Sequence, residues 1–112
     1  MSIYISVVVC TYNRAHILPG CLESLVAQTL DSKLFEVVVV DNGSIDNTKE
    51  VAETFVGKFS RFKVVSALQQ GHSFARNRGW QEARNPFVAY IDDDARAYPD
   101  WLVEMEIGRA HV

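Results

Sequence analysis

The sequence predicts an α/β fold, a mainly parallel sheet with flanking helices, and three observations carry that expectation. Four short runs rich in β-branched residues punctuate the chain, "IYISVVVC" (3–10), "FEVVVV" (35–40), "FKVVSAL" (62–68) and "FVAYI" (87–91). Helical spacing fills the gaps between them, so strands alternate with helices as right-handed βαβ units require. Each run also ends in polar residues, and parallel strands bring all their ends to one edge, where open α/β sheets bind ligands.

The second and fourth runs are almost continuously apolar, as strands buried on both faces are. From His16 to Gln28, Leu18, Leu22, Leu25 and Val26 share one helical face, with Pro19 tolerated in the first turn. Val51, Phe55, Val56 and Phe59 do the same from Thr48 to Phe59, and Asn47 with Glu50 offers an N-terminal cap. Between Ser73, a candidate cap, and Arg84, the residues Ala75, Gly79 and Ala83 form a small-residue face suited to close approach to a sheet. Pro99 is placed to open a fourth helix, with Asp100 beside its dipole. That helix is expected to run out after a turn or two.

Composition narrows the function classes. With 48% hydrophobic residues and a net charge of -3, the chain has the make-up of one small globular domain, or a piece of a larger one, and no basic tract for a nucleic-acid groove. No stretch reaches the roughly 18 apolar residues of a membrane span, and no signal peptide is visible. A cytoplasmic location is expected, with membrane association of a longer protein left open. Cys10 and Cys21 lack metal-ligand spacing and read as reduced core residues.

The endings are "TYNR" (11–14), "DNGS" (41–44), "QQGHSFARN" (69–77) and "DDD" (92–94). The acidic triplet poses the sharpest question, because two unit charges at 4 Å repel by about 4 kcal/mol at an effective dielectric of 20. A hard divalent ion resolves it: in extended backbone Asp92 and Asp94 project to one side, and such an ion takes one or two carboxylates plus substrate phosphates. Asp41 can accept from a base N–H or a ribose hydroxyl, or can simply close a turn, whereas Asp46 reads as a cap. Tyr12 offers a stacking face, and Thr11 and Asn13 can organise the loop. Arg76 is expected in the first turn of its helix, where it can meet an anion or pair with the acidic cluster. Arg78, Arg84 and Arg96 read as surface charges.

Taken together, "SVVVCTYNR", "VVVVDNGSIDNT", "GHSFARNRG" and "YIDDDARAYPDWL" make the chain resemble the nucleotide-binding half of a family 2 inverting glycosyltransferase of the GT-A fold along almost its whole length. The resemblance implies a Rossmann-like sheet, apparently truncated, and a nucleotide-diphosphate-sugar donor, with a UDP-sugar favoured. It implies Thr11 and Tyr12 at the base and ribose, Asp41 at the base edge, and Arg76 near base or diphosphate. Within the family's DXD motif, Asp94 is implied as metal ligand, joined by Asp92, with Asp93 or Asp92 approaching the ribose, and Mg²⁺ or Mn²⁺ as the cofactor. Cys10 stands where proline is frequent, Asn42 where aspartate is, and Gln69 where asparagine is.

The family's general base lies C-terminal of the DXD motif, so the catalytic base is expected outside this chain and the acceptor, a saccharide or a lipid-linked group, is not specified. Residues 1–106 are read as the donor-binding portion and 107–112 as a non-native or irregular tail. Four strands without the rest of a sheet invite self-association through exposed sheet. The alternatives are a non-catalytic nucleotide-binding module and a metal-dependent phosphohydrolase or phosphotransferase, the latter leaving "TYNR" and "GHSFARN" unexplained.

Overall fold

A computed structural model describes residues 5–67, 71–85 and 87–110, so Ile3, Tyr4, Leu68, Gln69, Gln70, His111 and Val112 of the stretches named above lie outside it. Four strands, β1 (Ile5–Thr11), β2 (Phe35–Asp41), β3 (Phe62–Ser66) and β4 (Val88–Asp92), form one sheet in the order β3-β2-β1-β4. Every pairing is parallel, with Val7 opposite both Val37 and Ala89, and Val39 opposite Val64. The central pair is sealed on both faces: Val7, Val8, Val9 and Val37 to Val40 are all 0% exposed. Each such burial contributes roughly 1.5–3 kcal/mol; the second run is buried on both faces as expected, whereas the fourth forms edge strand β4, in which only Ala89 is buried.

The two faces are covered differently. Helices α1 (Leu18–Val26) and α2 (Thr48–Glu53) lie over the face of Val7, Val9, Val37 and Val39, and Leu18, Cys21, Leu22, Leu25, Ala52 and Phe55 complete the larger core. Helix α3 (His72–Glu82) covers the opposite face, carrying Ala75 onto Val8, Val38 and Val40. A Cβ on Gly79 would run into Val8 Cγ1, so the small-residue face does bring this helix tight against the sheet.

Several helix boundaries differ from the expectations. Helix α1 is shorter, and Val26 at its end is 40% exposed rather than on the apolar face. Helix α2 stops at Glu53, and a 3₁₀ turn at Val56–Lys58 follows, leaving Val56 exposed; Asn47 makes no side-chain cap, because Asp46 takes the Thr48 N–H at 3.0 Å. Ser73 is not a cap either, since α3 already starts at His72 behind Gly71 (φ 129°). Pro99 and Asp100 form a turn ahead of α4 (Trp101–Ala110), which continues helically to Ala110 instead of running out after a turn or two.

The amino edge of the sheet is a closed polar network. Glu36, 3% exposed, accepts from Ser6 Oγ at 2.5 Å and from the Arg84 N–H at 2.6 Å, while Ser6 Oγ accepts from the Asn85 N–H at 3.2 Å. The connection into β4 is thereby tied to β1 and β2. After β4, the chain is pinned to α1: Ser24 Oγ accepts the Ala97 N–H at 2.9 Å, and Gln28 both accepts from the Leu102 N–H at 2.9 Å and donates to the Tyr98 carbonyl at 2.8 Å.

Candidate functional site

At the carboxyl edge, two of the polar endings are laced to each other. Asn13, at φ 52°, donates its N–H to Ser44 Oγ at 2.9 Å and accepts the Ile45 N–H at 2.9 Å on its side-chain oxygen. The Arg14 N–H meets Thr48 Oγ1 at 2.9 Å. Asparagine tolerates the left-handed conformation that this crossover requires. Thr48 also donates its hydroxyl to Asp46, which holds the Asp46 carboxyl below its ordinary range. The role of "TYNR" and "DNGS" is therefore partly to fix one another.

The carboxylates fall into two groups. Asp41 is 5% exposed and accepts the Ser44 N–H at 3.2 Å, closing the turn through Gly43 (φ 84°). Asp93, 9% exposed, accepts from Thr11 Oγ1 at 2.9 Å and faces Arg14 Nε at 3.9 Å. Asp92 and Asp94 are exposed and have no ion-pair partner among the described residues. The extended-backbone argument for this pair does not hold, because β4 ends at Asp92 and the next residues turn, with the Ala95 N–H donating to the Asp92 carbonyl at 3.0 Å. Both carboxylates nonetheless reach the same cavity.

That cavity, of about 350 Å³, is lined by Thr11, Tyr12, Asn42, Asp92, Asp93 and Asp94, together with Cys10, Arg14 and Ala75. Asp41 and Arg76 are not among its lining residues. Arg76 sits in the second turn of α3, its guanidinium carbon 4.5 Å from the centre of the Tyr90 ring, beside a hollow of about 130 Å³ that shares Cys10 and Asp92 with the cleft. It forms no ion pair with the acidic triplet among the described residues. Burial pushes the Cys10 thiol up to about 11, against the opposing influence of Arg76.

Four lining residues escaped the sequence reading. Asn42 donates from Nδ2 to the Gly71 carbonyl at 3.2 Å, and its buried Oδ1 has no hydrogen-bond partner among the described residues. A buried acceptor left unpaired costs about 1–3 kcal/mol, so it marks a place for a donor. The signal lay in the strand end: the residue after a buried carboxylate takes the position facing the cleft. Cys10 and Arg14 are placed by the end of β1, and Ala75 by α3. Of the arginines assigned to the surface, Arg78 pairs with Glu82 and donates to the Ser66 carbonyl at 3.2 Å, and Arg96 lies over Gly20.

The donor set fits a hard cation. Among the described residues no group of three or more His, Cys, Asp or Glu side chains is arranged to hold a metal by itself. Two exposed carboxylates in a wet cleft are what Mg²⁺ or Mn²⁺ uses when phosphate oxygens and water supply the remaining positions.

The comparisons agree with this geometry. The glycosyl transferase family 2 model matches residues 6–106. Glycosyltransferase AglE of Haloferax volcanii is 35% identical over 100 residues, 88% of this chain and 33% of AglE. Among solved structures, S. aureus TarS 1-349 in complex with UDP superposes with a TM-score of 0.91 at 30% identity, covering 97% of this chain and 32% of that one. The mannosyltransferase PcManGT from Pyrobaculum calidifontis, in complex with GDP-Man and Mn²⁺, gives a TM-score of 0.77 at 27% identity over 82% of this chain and 28% of its own. The chain thus spans about a third of the length of these proteins and shares their Rossmann-like GT-A sheet. A family model that covers nearly every described residue, on a fold with its polar strand ends gathered in one cleft, makes this chain a member of glycosyl transferase family 2.

Proposed function

We propose that the cleft binds a nucleotide-diphosphate-sugar together with Mg²⁺ or Mn²⁺, as the donor half of a glycosyltransferase that passes the sugar to an acceptor hydroxyl with inversion. The observation that carries this reading is the pair of exposed carboxylates, Asp92 and Asp94, without an ion-pair partner among the described residues, in a cavity that Thr11, Tyr12 and Asn42 also line. The UDP bound by TarS and the GDP-Man and Mn²⁺ bound by PcManGT support the ligand class.

Roles follow from exposure and partners. Asp94 and Asp92 hold the cation, which when bound neutralises the diphosphate and stabilises it as a leaving group. Asn42 takes over the base-edge role that the sequence suggests for Asp41; its Oδ1 accepts a base N–H while Asp41 holds the turn beneath it. Tyr12, 43% exposed, stacks on the base. Asp93 orients Thr11 at the ribose, Asp92 also approaching the sugar hydroxyls, and Arg76 donates from the neighbouring wall. Glu104 accepts from the Tyr98 hydroxyl at 2.7 Å and is not assigned as the base for the acceptor.

The proposal extends to a cytoplasmic location and to self-association through the edge strands β3 and β4, both resting on sequence character. No helix among the described residues is long and apolar enough to cross a membrane. Calorimetric titration with UDP in Mn²⁺ and in chelator tests the central part: affinity about tenfold higher with the metal is expected, a difference of about 1.4 kcal/mol. Equal affinity in both conditions overturns the metal role.

A further inference from the structure

The amino edge of the sheet gathers cations as the carboxyl edge gathers carboxylates. A hollow of about 320 Å³ opens there, lined by Arg61, Phe62 and Lys63 around the start of β3, by Ser60 before it, by Glu36 of β2 and by Arg84 beyond α3. Three positive side chains from two separate segments share this space in a chain whose net charge is -3. Main-chain hydrogen bonds hold both segments on β2: the Arg61 carbonyl accepts the Val37 N–H at 3.1 Å, and the Arg84 N–H donates to Glu36 at 2.6 Å. The fold itself therefore carries the two arginines to this rim.

Their charges are left open. Lys63 reaches Glu82 at 3.3 Å, but Arg61 and Arg84 are exposed, and neither guanidinium has an ion pair or a hydrogen bond among the described residues. Glu36 lines the same hollow without neutralising them, because its carboxylate is taken by the Ser6 hydroxyl and the Arg84 N–H. Like charges brought together without a counter-charge repel, and a bound anion relieves that repulsion. A guanidinium presents a planar fork of donors that matches phosphate oxygens, and the hollow has the volume of a small-ligand pocket. We propose that this hollow is an anion site that takes a phosphate group between Arg61 and Arg84, with Lys63 beside it. It shares no lining residue with the cleft of Asp92 and Asp94, so it goes beyond the reading of that cleft and does not depend on it. The same chemistry serves a small soluble phosphate and the phosphate of an anionic lipid headgroup.

The test titrates inorganic pyrophosphate into the chain in chelator, where the carboxylates of the cleft repel it, and follows the amide resonances by NMR. Saturable shifts are expected at the Arg61, Lys63 and Arg84 amides. Affinity should fall about tenfold in Arg61→Gln and in Arg84→Gln, the size of one charge-assisted hydrogen bond, on samples whose fold is checked by circular dichroism. Arg84→Gln keeps the main-chain N–H that Glu36 accepts. Lys49→Gln, which removes a cation from α2, should leave affinity within about twofold, because salt screens a distant exposed charge. UDP affinity in Mn²⁺ should not change in either arginine variant. Cosedimentation with phosphatidylglycerol and phosphatidylcholine vesicles separates the sources: binding to the anionic vesicles that both arginine variants lose assigns a lipid headgroup, and pyrophosphate binding without it assigns a soluble phosphate. Shifts that do not saturate, an equal loss in Lys49→Gln, or no binding of either probe overturns the site.

Discussion

The two edges of the sheet spend their carboxylates in opposite ways. At the amino edge, Glu36 is buried and receives hydrogen bonds from Ser6 and from the backbone of Arg84, so its charge is absorbed by the fold. At the carboxyl edge, Asp41 and Asp93 are likewise absorbed, but Asp92 and Asp94 remain exposed in a cavity with no cation of the protein paired to them among the described residues. The difference separates carboxylates that the fold itself uses from carboxylates that it leaves open to solvent. A carboxylate that completes a network belongs to the scaffold; one that lines a cleft unpaired is free to bind.

This contrast is sharpened most by removing Glu36. Glu36→Ala leaves the Ser6 hydroxyl and the Arg84 N–H without their buried partner, and a loss of about 2–4 kcal/mol in urea unfolding is expected. Folded protein at low denaturant should still bind UDP with unchanged metal dependence. A smaller effect is expected at Asn42. Asn42→Ala removes the donor to the Gly71 carbonyl together with an acceptor that has no partner among the described residues, so stability should change by no more than about 1 kcal/mol, whereas UDP affinity should fall by about 1–1.5 kcal/mol by calorimetry. A stability loss with unchanged affinity would move Asn42 into the scaffold.

The smallest effect at neutral pH concerns the thiols. Burial pushes Cys10 up to about 11 and Cys21 up to about 12, from an ordinary value of 9.0. A thiol whose folded pKa is raised stabilises the fold fully below the unfolded value and loses that contribution as pH climbs through the folded one. Melting temperature should therefore be insensitive to these groups below pH 9 and decline between about pH 9 and 12. Cys10→Ala should flatten part of that decline.

Much of this was legible in the residues. The four strands, the parallel order and the carboxyl-edge cluster follow from β-branched runs that end in polar residues, because burial on both faces admits little else. Helix ends were less legible: Val26 and Val56 continue an apolar period past the point where the helix stops, since one valine at a helix end buries too little to extend it. Asp46 caps the start of α2 as expected, but Asn47 and Ser73 do not cap, because residues with the same capping chemistry compete and only the tertiary path chooses among them. Of the residues expected at the site, Thr11, Tyr12 and the acidic triplet line the cleft, because each stands at a strand end. That Asn42 lines the cleft while Asp41 is buried in its turn was not legible, because one residue of register at a strand end decides which side chain turns inward, and composition carries no trace of it.

The division between scaffold and ligand carboxylates is tested most directly by Asp94→Asn, measured twice on the same sample. Thermal unfolding should shift by no more than about 3 °C, as expected for an exposed side chain without partners. UDP titration should lose most of the affinity difference between Mn²⁺ and chelator. A substitution that melts the protein, or one that leaves the metal dependence intact, would contradict the account, placing Asp94 in the scaffold or the cation elsewhere.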